Sequence, residues 1–510
     1  EVSSLHIYDP STAPSGKVRF RDILAAFDRR IDQVEAFRRR LVTVPLSLDH
    51  PYWVEDEHFD LEHHVRHIAL PKPGDWTQLM RQIARLQSYP LDHSRPLWEA
   101  YVIEGLDRIE GVRPGSFAVF IEMHHATVDG TTGVQIQRAI HDLAPAEFDA
   151  PAYEPRARAG RQVEPPDEWA LVRSAPLNAV CKSLRLGAGL ALAAPGLMRA
   201  ALASLMRPRQ KVPRTVFNQR RASANRVVEA RIFPLAGLKA IAGAVPGTTV
   251  NDVVLAVVSG ALRAYLLSKD ALPGDSLIAA CPVNARATDG RHDAHANMVS
   301  LMNTPLRTEL PDPLERLRGI HSGTQEAKAT IATVGTRTLT EVPMHLPAPL
   351  ARNLLPLLSE LAVRTGTFPF NTMVSNVAGI QQPLYLAGAE MTAMLGMGPV
   401  VDQLGLFHAA FSYNGQLSIT VTACRETLPD PAFYAECLEQ AFTELQEAAV
   451  ATTASKRPGK TARKKAGTQR GATAGRKAPR PSASRKTGSR KRAARKTAGQ
   501  RSAESGADTT

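Results

Sequence analysis

The sequence predicts a mixed α/β (α+β) protein of two domains, closed by a disordered basic tail. Three observations carry that expectation. Runs with strand alternation interleave with runs of helical spacing in both halves of the 510 residues, the pattern of layered α/β domains. A stretch rich in Pro, Ala, Arg and Glu, 144–165, separates the halves as a surface linker. The segment 451–510 holds no aromatic and almost no large apolar side chain, so it cannot bury enough surface to fold.

The first domain, 1–150, opens on the extended stretch Val2-Ser3-Ser4-Leu5-His6-Ile7-Tyr8. Helical periodicity predicts helices over 20–41 and 76–88, the latter with Leu79, Ile83 and Leu86 on one side. Residues 115–123 alternate, placing Phe117, Val119, Ile121 and Met123 on one strand face, and 132–143 follows as a helix. In the linker segment, 151–225, residues 169–206 are apolar but punctuated by Arg173, Lys182, Arg185 and Arg199. Their longest uncharged run, 186–198, contains Pro195 and falls short of the roughly 20 residues that a bilayer requires. It is either an amphipathic element on a membrane surface or a buried inter-domain helix pair. The second domain, 226–450, carries a helix over 251–267, with Val254, Val257, Val258, Ala261 and Tyr265 at helical spacing. Strands at 404–411 and 416–423 flank the hairpin pair Asn414-Gly415, and 431–450 closes as a helix.

A net charge of +13 suggests a nucleic-acid binder until it is divided. Residues 451–510 hold 18 Lys/Arg against Glu504 and Asp508, a net of +16, so residues 1–450 carry −3. The body is near neutral and its function cannot be argued from the basic isoelectric point. Cys181, Cys281, Cys424 and Cys437 lie far apart without CxxC spacing, against a disulfide framework or structural zinc and in favour of a reducing compartment. Residue 1 is Glu and starts no secretory signal; a targeting segment ahead of it stays open.

One constellation carries chemistry: His124-His125-Ala126-Thr127-Val128-Asp129-Gly130, at the exit of the alternating strand. Adjacent strand residues point to opposite faces, so only one histidine faces a given site. If Met123 points to a buried interface, His125 does too and His124 packs on the other side. Asp129-Gly130 supplies turn chemistry before the next helix. An imidazole, with an ordinary pKa of about 6.5, can take the proton of an attacking hydroxyl. No GxSxG elbow signals a serine acyl-enzyme, so one-step attack on a thioester is the economical mechanism. Adjacent histidines diverge and no third ligand is spaced nearby, so metal binding is not expected. A second pair, His63-His64, lacks the Asp-Gly and is expected to be structural.

This HHxxxDG run resembles the acyltransferase motif of the bacterial wax ester synthase/diacylglycerol acyltransferase family. Further segments resemble that family in the same order: Pro96-Leu97-Trp98 upstream, Asn251-Asp252-Val253-Val254-Leu255-Ala256, Pro282-Val283-Asn284-Ala285-Arg286 and Ser375-Asn376-Val377-Ala378-Gly379. Ala378 departs from the family's proline, and the basic tail is not a general family feature. The resemblance spans about residues 1–448. It implies two chloramphenicol-acetyltransferase-like domains with a tunnel between them, acyl-CoA entering one mouth and diacylglycerol or a long-chain alcohol the other, and a segment ahead of residue 1 contributing near the site. Acyl-CoA would be a co-substrate, with no cofactor. His125 would be the general base beside His124; Asp129 and Gly130 would shape the loop, with Arg286 as partner of Asp129. Pro96, Leu97 and Trp98 would line the tunnel or support it, Trp98 either facing substrate or anchoring a core turn. Asn251 and Asp252 would build a helix start, given the capping spacing from Thr249 to Asp252, with Asn251 an alternative oxyanion donor. Products would be triacylglycerol, wax ester or both, made by an enzyme in the cytoplasm attached to the inner face of the membrane or to lipid inclusions. The tail, 451–510, would bind anionic phospholipid or lipid-droplet surface, at about 1 kcal/mol per basic residue, bind nucleic acid through phosphates, or act as a solubilising appendage. The rival functions are a condensation-type enzyme using carrier-bound acyl groups, and an inactive body that its tail recruits to lipid or nucleic acid.

Overall fold

The computed structural model describes residues 1–127, 130–145, 153, 168–206, 211–219, 221–284, 299–334, 346–365 and 369–455. Residues 1–457 form one compact unit. Val128, Asp129 and Arg286, and the tail beyond 455, lie outside the described residues.

Two six-stranded sheets organise the unit. The first is built on β1 (Val2–Asp9), β4 (Val65–Ala69), β5 (Trp98–Glu104) and β6 (Phe117–Met123). It is completed by β11 (Tyr385–Leu386) and β12 (Ala389–Met397), in the order β11-β12-β1-β6-β5-β4. The second contains β7 (Arg226–Pro234), β8 (Ile278–Asn284), β9 (Val299–Pro305), β10 (Thr372–Ala378), β13 (Leu406–Tyr413) and β14 (Gln416–Cys424), ordered β7-β14-β13-β10-β8-β9. The expected division of the sequence at 226 therefore does not coincide with the sheets, because 385–397 crosses into the first. A small hairpin pairs β2 (Arg39–Val42) with β3 (Tyr52–Glu55).

Strand β6 is buried along its whole length. Phe117, Val119, Ile121 and Met123 enter one core with Tyr8, Ile136 and Ile140, while Ala118 and Phe120 enter another with Leu79, Ile83 and Val228. The alternation of residues 115–123 thus separates two cores rather than core from solvent. Helix α1 (Phe20–Asp28) is much shorter than 20–41 predicts. Its apolar spacing continues through 3₁₀ turns at Ile31–Gln33 and Glu35–Phe37, whose three-residue repeat keeps Ile31, Val34 and Phe37 buried. The chain must then extend from Arg39 to pair with β3, which ends helical geometry. A short α2 (Leu61–His64) precedes β4, and α3 (Trp76–Leu86) carries the expected face and a capping box at Asp75. Helix α4 (Gly130–Ile140) returns from β6.

Helix α5 (Glu168–Met206) is one continuous element, so a helix pair is not what forms. Nor is it buried: Trp169, Leu177, Val180, Leu184 and Met198 are all exposed. Lys182 Nζ and Asn178 Nδ2 fasten it to the Asp49 carboxylate at 2.5 and 2.9 Å. After α6 (Leu235–Ala244) comes α7 (Val250–Leu267). Among the described residues α7 alone is long and apolar enough to cross a membrane, yet most of it is buried in a further core against the second sheet, with Leu417, Ile419 and Tyr434. Helix α8 (Pro313–Val334) packs on α7, and the helices Ala348–Thr365 and Pro431–Ser455 follow, the latter outrunning the expected 431–450. Asn414 and Gly415, with φ of 41° and 79°, make the β13–β14 turn, both in the left-handed region that two-residue hairpins require.

Candidate active site

The motif histidines sit where β6 stops. The His124 N–H donates to the Leu97 carbonyl at 3.0 Å, and the His124 carbonyl accepts from the Thr127 N–H at 2.9 Å and the Thr127 hydroxyl at 2.6 Å. His124 Nδ1 accepts from the Ala126 N–H at 3.1 Å, which places the ring proton on Nε2. Four hydrogen bonds thus wrap the chain into a turn around His124, and its ring meets His93 edge-on. Burial, reinforced by nearby positive charge, lowers the His124 pKa.

That turn corrects the expected alternation. Met123 is buried, but the strand does not continue past it, so His125 does not follow Met123 inward: His124 is half-buried and His125 is exposed. Strand alternation fails because the His124 carbonyl bonds Thr127, three residues on, instead of a neighbouring strand. Gly130 opens α4, while Asp129 and its expected partner Arg286 are not among the described residues.

The Pro-Leu-Trp segment lies directly against this turn. Leu97 supplies the carbonyl that holds His124, and Pro96 bridges to Arg40 of β2. Of its two readings, Trp98 takes the core one: it is 1% exposed, its indole N–H donates to the Phe37 carbonyl at 3.0 Å, and it stacks on His64. His64 in turn meets the Trp98 carbonyl through Nδ1 at 2.7 Å, and burial pushes its pKa down to about 4. The His63-His64 pair is structural, as its sequence context predicts.

A second polar cluster gathers the remaining motif segments. Thr249 caps α7, and Asp252 returns the bond to the Thr249 N–H at 2.9 Å, the capping box that the spacing predicts. The Asp252 carboxylate also accepts from His321 Nδ1 at 3.0 Å and the Thr324 hydroxyl at 2.9 Å. Burial opposes its ionisation, but these donors prevail and hold its pKa below the ordinary value. Asn251 Oδ1 accepts from Asn376 Nδ2 at 3.2 Å, joining two segments that are far apart in sequence. Asn284 ends β8, the parallel neighbour of β10, which carries Asn376.

Sequence reasoning missed three buried polar features. Glu122, two residues before His124, lies 3% exposed opposite Ser3 and Glu99, and burial, with the Glu1 carboxylate nearby, raises its pKa to about 8. His6 and Tyr8 of β1 bond Gln137 and His141 behind α4. The Asp252–His321 contact is the third. A polar residue at an inward position of an alternating strand, as at His6 and Glu122, was the available signal. Separately, a cleft of about 490 Å³ opens between the 43–51 loop and the helix Ala348–Thr365, with Asp49, His50 and Arg352 among its walls and no motif residue.

Comparison with known proteins agrees with this frame. Residues 1–254 match the wax ester synthase/diacylglycerol acyltransferase catalytic domain, and residues 295–446 match the C-terminal domain of the same family. A putative diacylglycerol O-acyltransferase of Mycobacterium tuberculosis is 34% identical over 456 residues, 88% of this chain and 95% of that protein. O-acyltransferase WSD of Acinetobacter baylyi is 32% identical over 393 residues, 74% of this chain and 79% of that protein. The solved wax ester synthase/diacylglycerol acyltransferase of Marinobacter aquaeolei VT8 is 29% identical, with a TM-score of 0.60 covering 88% of this chain and 94% of that one. A condensation domain of the calcium-dependent antibiotic synthetase, 14% identical at a TM-score of 0.50, shares the fold alone. Two α/β layers with HHxxxDG at the end of a buried strand define an acyltransferase of the chloramphenicol-acetyltransferase-like fold. The chain belongs to the wax ester synthase/diacylglycerol acyltransferase family.

Proposed function

We propose that the protein transfers the acyl group of an acyl-CoA to diacylglycerol or a long-chain alcohol, giving triacylglycerol, wax ester or both, with His125 as general base. The observation that carries this is the division of labour in the pair: four hydrogen bonds hold His124 as a turn anchor, and His125 is presented to solvent at the end of a rigid strand. His125 takes the hydroxyl proton as the alcohol oxygen bonds to the thioester carbon; the C–S bond breaks, and the CoA thiolate leaves with that proton. Acyl-CoA is a co-substrate, and the step invokes no cofactor. The test is thiol release from palmitoyl-CoA with diacylglycerol and hexadecanol offered separately. Release that requires an alcohol supports the reading and ranks the acceptors; none with either transfers weight to a carrier-dependent or non-catalytic role.

In this reading Asn251 donates to the developing oxyanion: Asn376 Nδ2 engages its Oδ1, which orients the side chain and leaves the Asn251 amide N–H out of that bond. Asn251→Ala should lower turnover about 10²–10³-fold while costing under about 1 kcal/mol of stability. Parallel losses in both would leave Asn251 only a helix-start role.

The protein would act in the cytoplasm, attached peripherally to the inner membrane face or to lipid inclusions. The exposed apolar residues of α5, interspersed with Arg173, Lys182 and Arg185, favour a lipid surface, and the basic tail adds attraction to anionic headgroups. Removing residues 456–510 should reduce flotation with phosphatidylserine vesicles at least about tenfold at low salt. Undiminished flotation would remove the tail from membrane binding and favour nucleic acid as its partner.

A further inference from the structure

The chain climbs β6 to the histidine pair and returns along α4, so His124 and His125 lie at the strand end of a β6–α4 return. The motif can be no better placed than α4 is fixed relative to the sheet. Apolar contacts from Ile136 and Ile140 hold α4 on its core but tolerate sliding, because apolar packing has no direction. Direction comes from four buried polar side chains. Gln137 Nε2 meets His6 Nε2 at 2.9 Å, and the Tyr8 hydroxyl meets His141 Nε2 at 2.6 Å. His141 Nδ1 is bonded at 2.7 Å to the Gln137 carbonyl, one helical turn back. A carbonyl only accepts, so Nδ1 carries the proton, Nε2 is bare, and the Tyr8 hydroxyl is the donor.

The spacings match. His6 and Tyr8 are two apart on β1, about 7 Å; Gln137 and His141 are four apart on a helical path, about 6 Å. A slip of α4 by one residue would break both links at once. Strand β1 is also hydrogen-bonded to β6 itself, with His6 opposite Val119 and Tyr8 opposite Phe117. The links therefore tie α4, the returning arm, to the immediate neighbour of β6. Just past His141, Arg30 pairs with Asp142, and Asp142 exchanges two backbone bonds with Tyr385, which pins the far end of the helix.

We propose that His6, Tyr8, Gln137 and His141 are positioning residues for the acyl transfer: a two-link register lock that sets the axial position of α4 and thereby of the histidine-bearing turn. Buried polar groups of this kind add little net stability over apolar replacements and are best understood as specifying one arrangement. The catalytic consequence rests on the acyltransferase reading above; the structural consequence does not.

The experiment compares full-length wild type with Tyr8→Phe and Gln137→Met, near-isosteric changes that each delete one link. Tyr434→Phe is the control, since it removes a similar buried bond, to His408 at 2.7 Å, beside the second sheet. Thermal midpoint, kcat and KM for palmitoyl-CoA with the preferred alcohol, and hydrogen exchange across 124–136 are measured for each. The expected result is a kcat reduced about tenfold or more in both lock variants, with KM within about twofold and a midpoint near that of Tyr434→Phe, together with faster exchange across 124–136. Unchanged kcat and exchange in Tyr8→Phe would overturn the proposal. An equal kcat loss in Tyr434→Phe would do the same, by making the effect one of general destabilisation. If wild type releases no CoA, the functional reading fails, while the exchange comparison still decides whether the lock exists.

Discussion

With His125 as the proposed general base, replacing it with Ala should remove alcohol-dependent CoA release, a loss of about 10²–10⁴-fold in kcat, the range that a general base supplies. The His125 side chain is exposed, so its removal should change stability by no more than about 0.5 kcal/mol. His124→Ala has a different expected signature. It deletes the acceptor of the Ala126 N–H and loosens the turn, so it should cost about 1 kcal/mol and slow turnover through misplacement of its neighbour. Initial rates read by a thiol reagent, paired with a melting curve for each variant, separate the two. Alcohol-dependent release that survives in His125→Ala would mean that another group takes the proton.

Acidification from pH 7 to pH 5 should weaken the fold by at least about 3 kcal/mol, a large part of ordinary domain stability. Four buried histidines drive it. Burial lowers His64 and His141 to about 4, His408 to about 3, and His6 well below its ordinary value. Between those values and about 6.5 the unfolded chain binds protons that the folded chain refuses, so stability falls as pH falls. At pH 5 His64, His141 and His408 each contribute a loss of about 2 kcal/mol, about 6 together, and His6 acts in the same direction. Glu122 acts in the opposite sense. Its pKa, raised to about 8, makes the folded chain bind the extra proton across this window, returning about 3 kcal/mol at pH 5. Asp49, held at about 2 by Lys182 and its other donors against the effect of burial, and Asp252, also lowered, titrate below the window. Urea midpoints at pH 7 and 5 measure the net effect. Glu122→Gln should enlarge the drop towards about 6 kcal/mol or more; an identical drop in that variant would show that Glu122 ionises normally.

Local patterns were legible where one element decides its own geometry. Asn414-Gly415 can make only a tight hairpin turn, and Thr249 with Asp252 announces a capped helix. The apolar spacing within 20–41 was legible as a buried face but not as a conformation, because side chains three apart are neighbours in both an α-helix and 3₁₀ turns, and the β2–β3 hairpin decides between them. The exposure of His125 was illegible for a related reason: alternation applies only while a strand lasts, and bonds from Leu97 and Thr127 end it. The membership of β12 in the first sheet and the Asn251–Asn376 contact depend on pairings across more than a hundred residues, on which local periodicity is silent. Trp98 was ambiguous because an aromatic beside a site looks the same in sequence whether it faces substrate or the Phe37 carbonyl.

The crossing of β11 and β12 has a consequence for how the chain is made. Strand β1 leaves the ribosome well before its β12 partner, Ala389–Met397, which is synthesised nearly four hundred residues later. Throughout that interval one edge of β1 stays unpaired beside apolar side chains, the kind of surface on which nascent chains aggregate. The first sheet therefore cannot mature as an autonomous N-terminal module during translation. Its completion waits for β12, which makes this a late-closing fold, dependent on protection of β1 until that strand has been made.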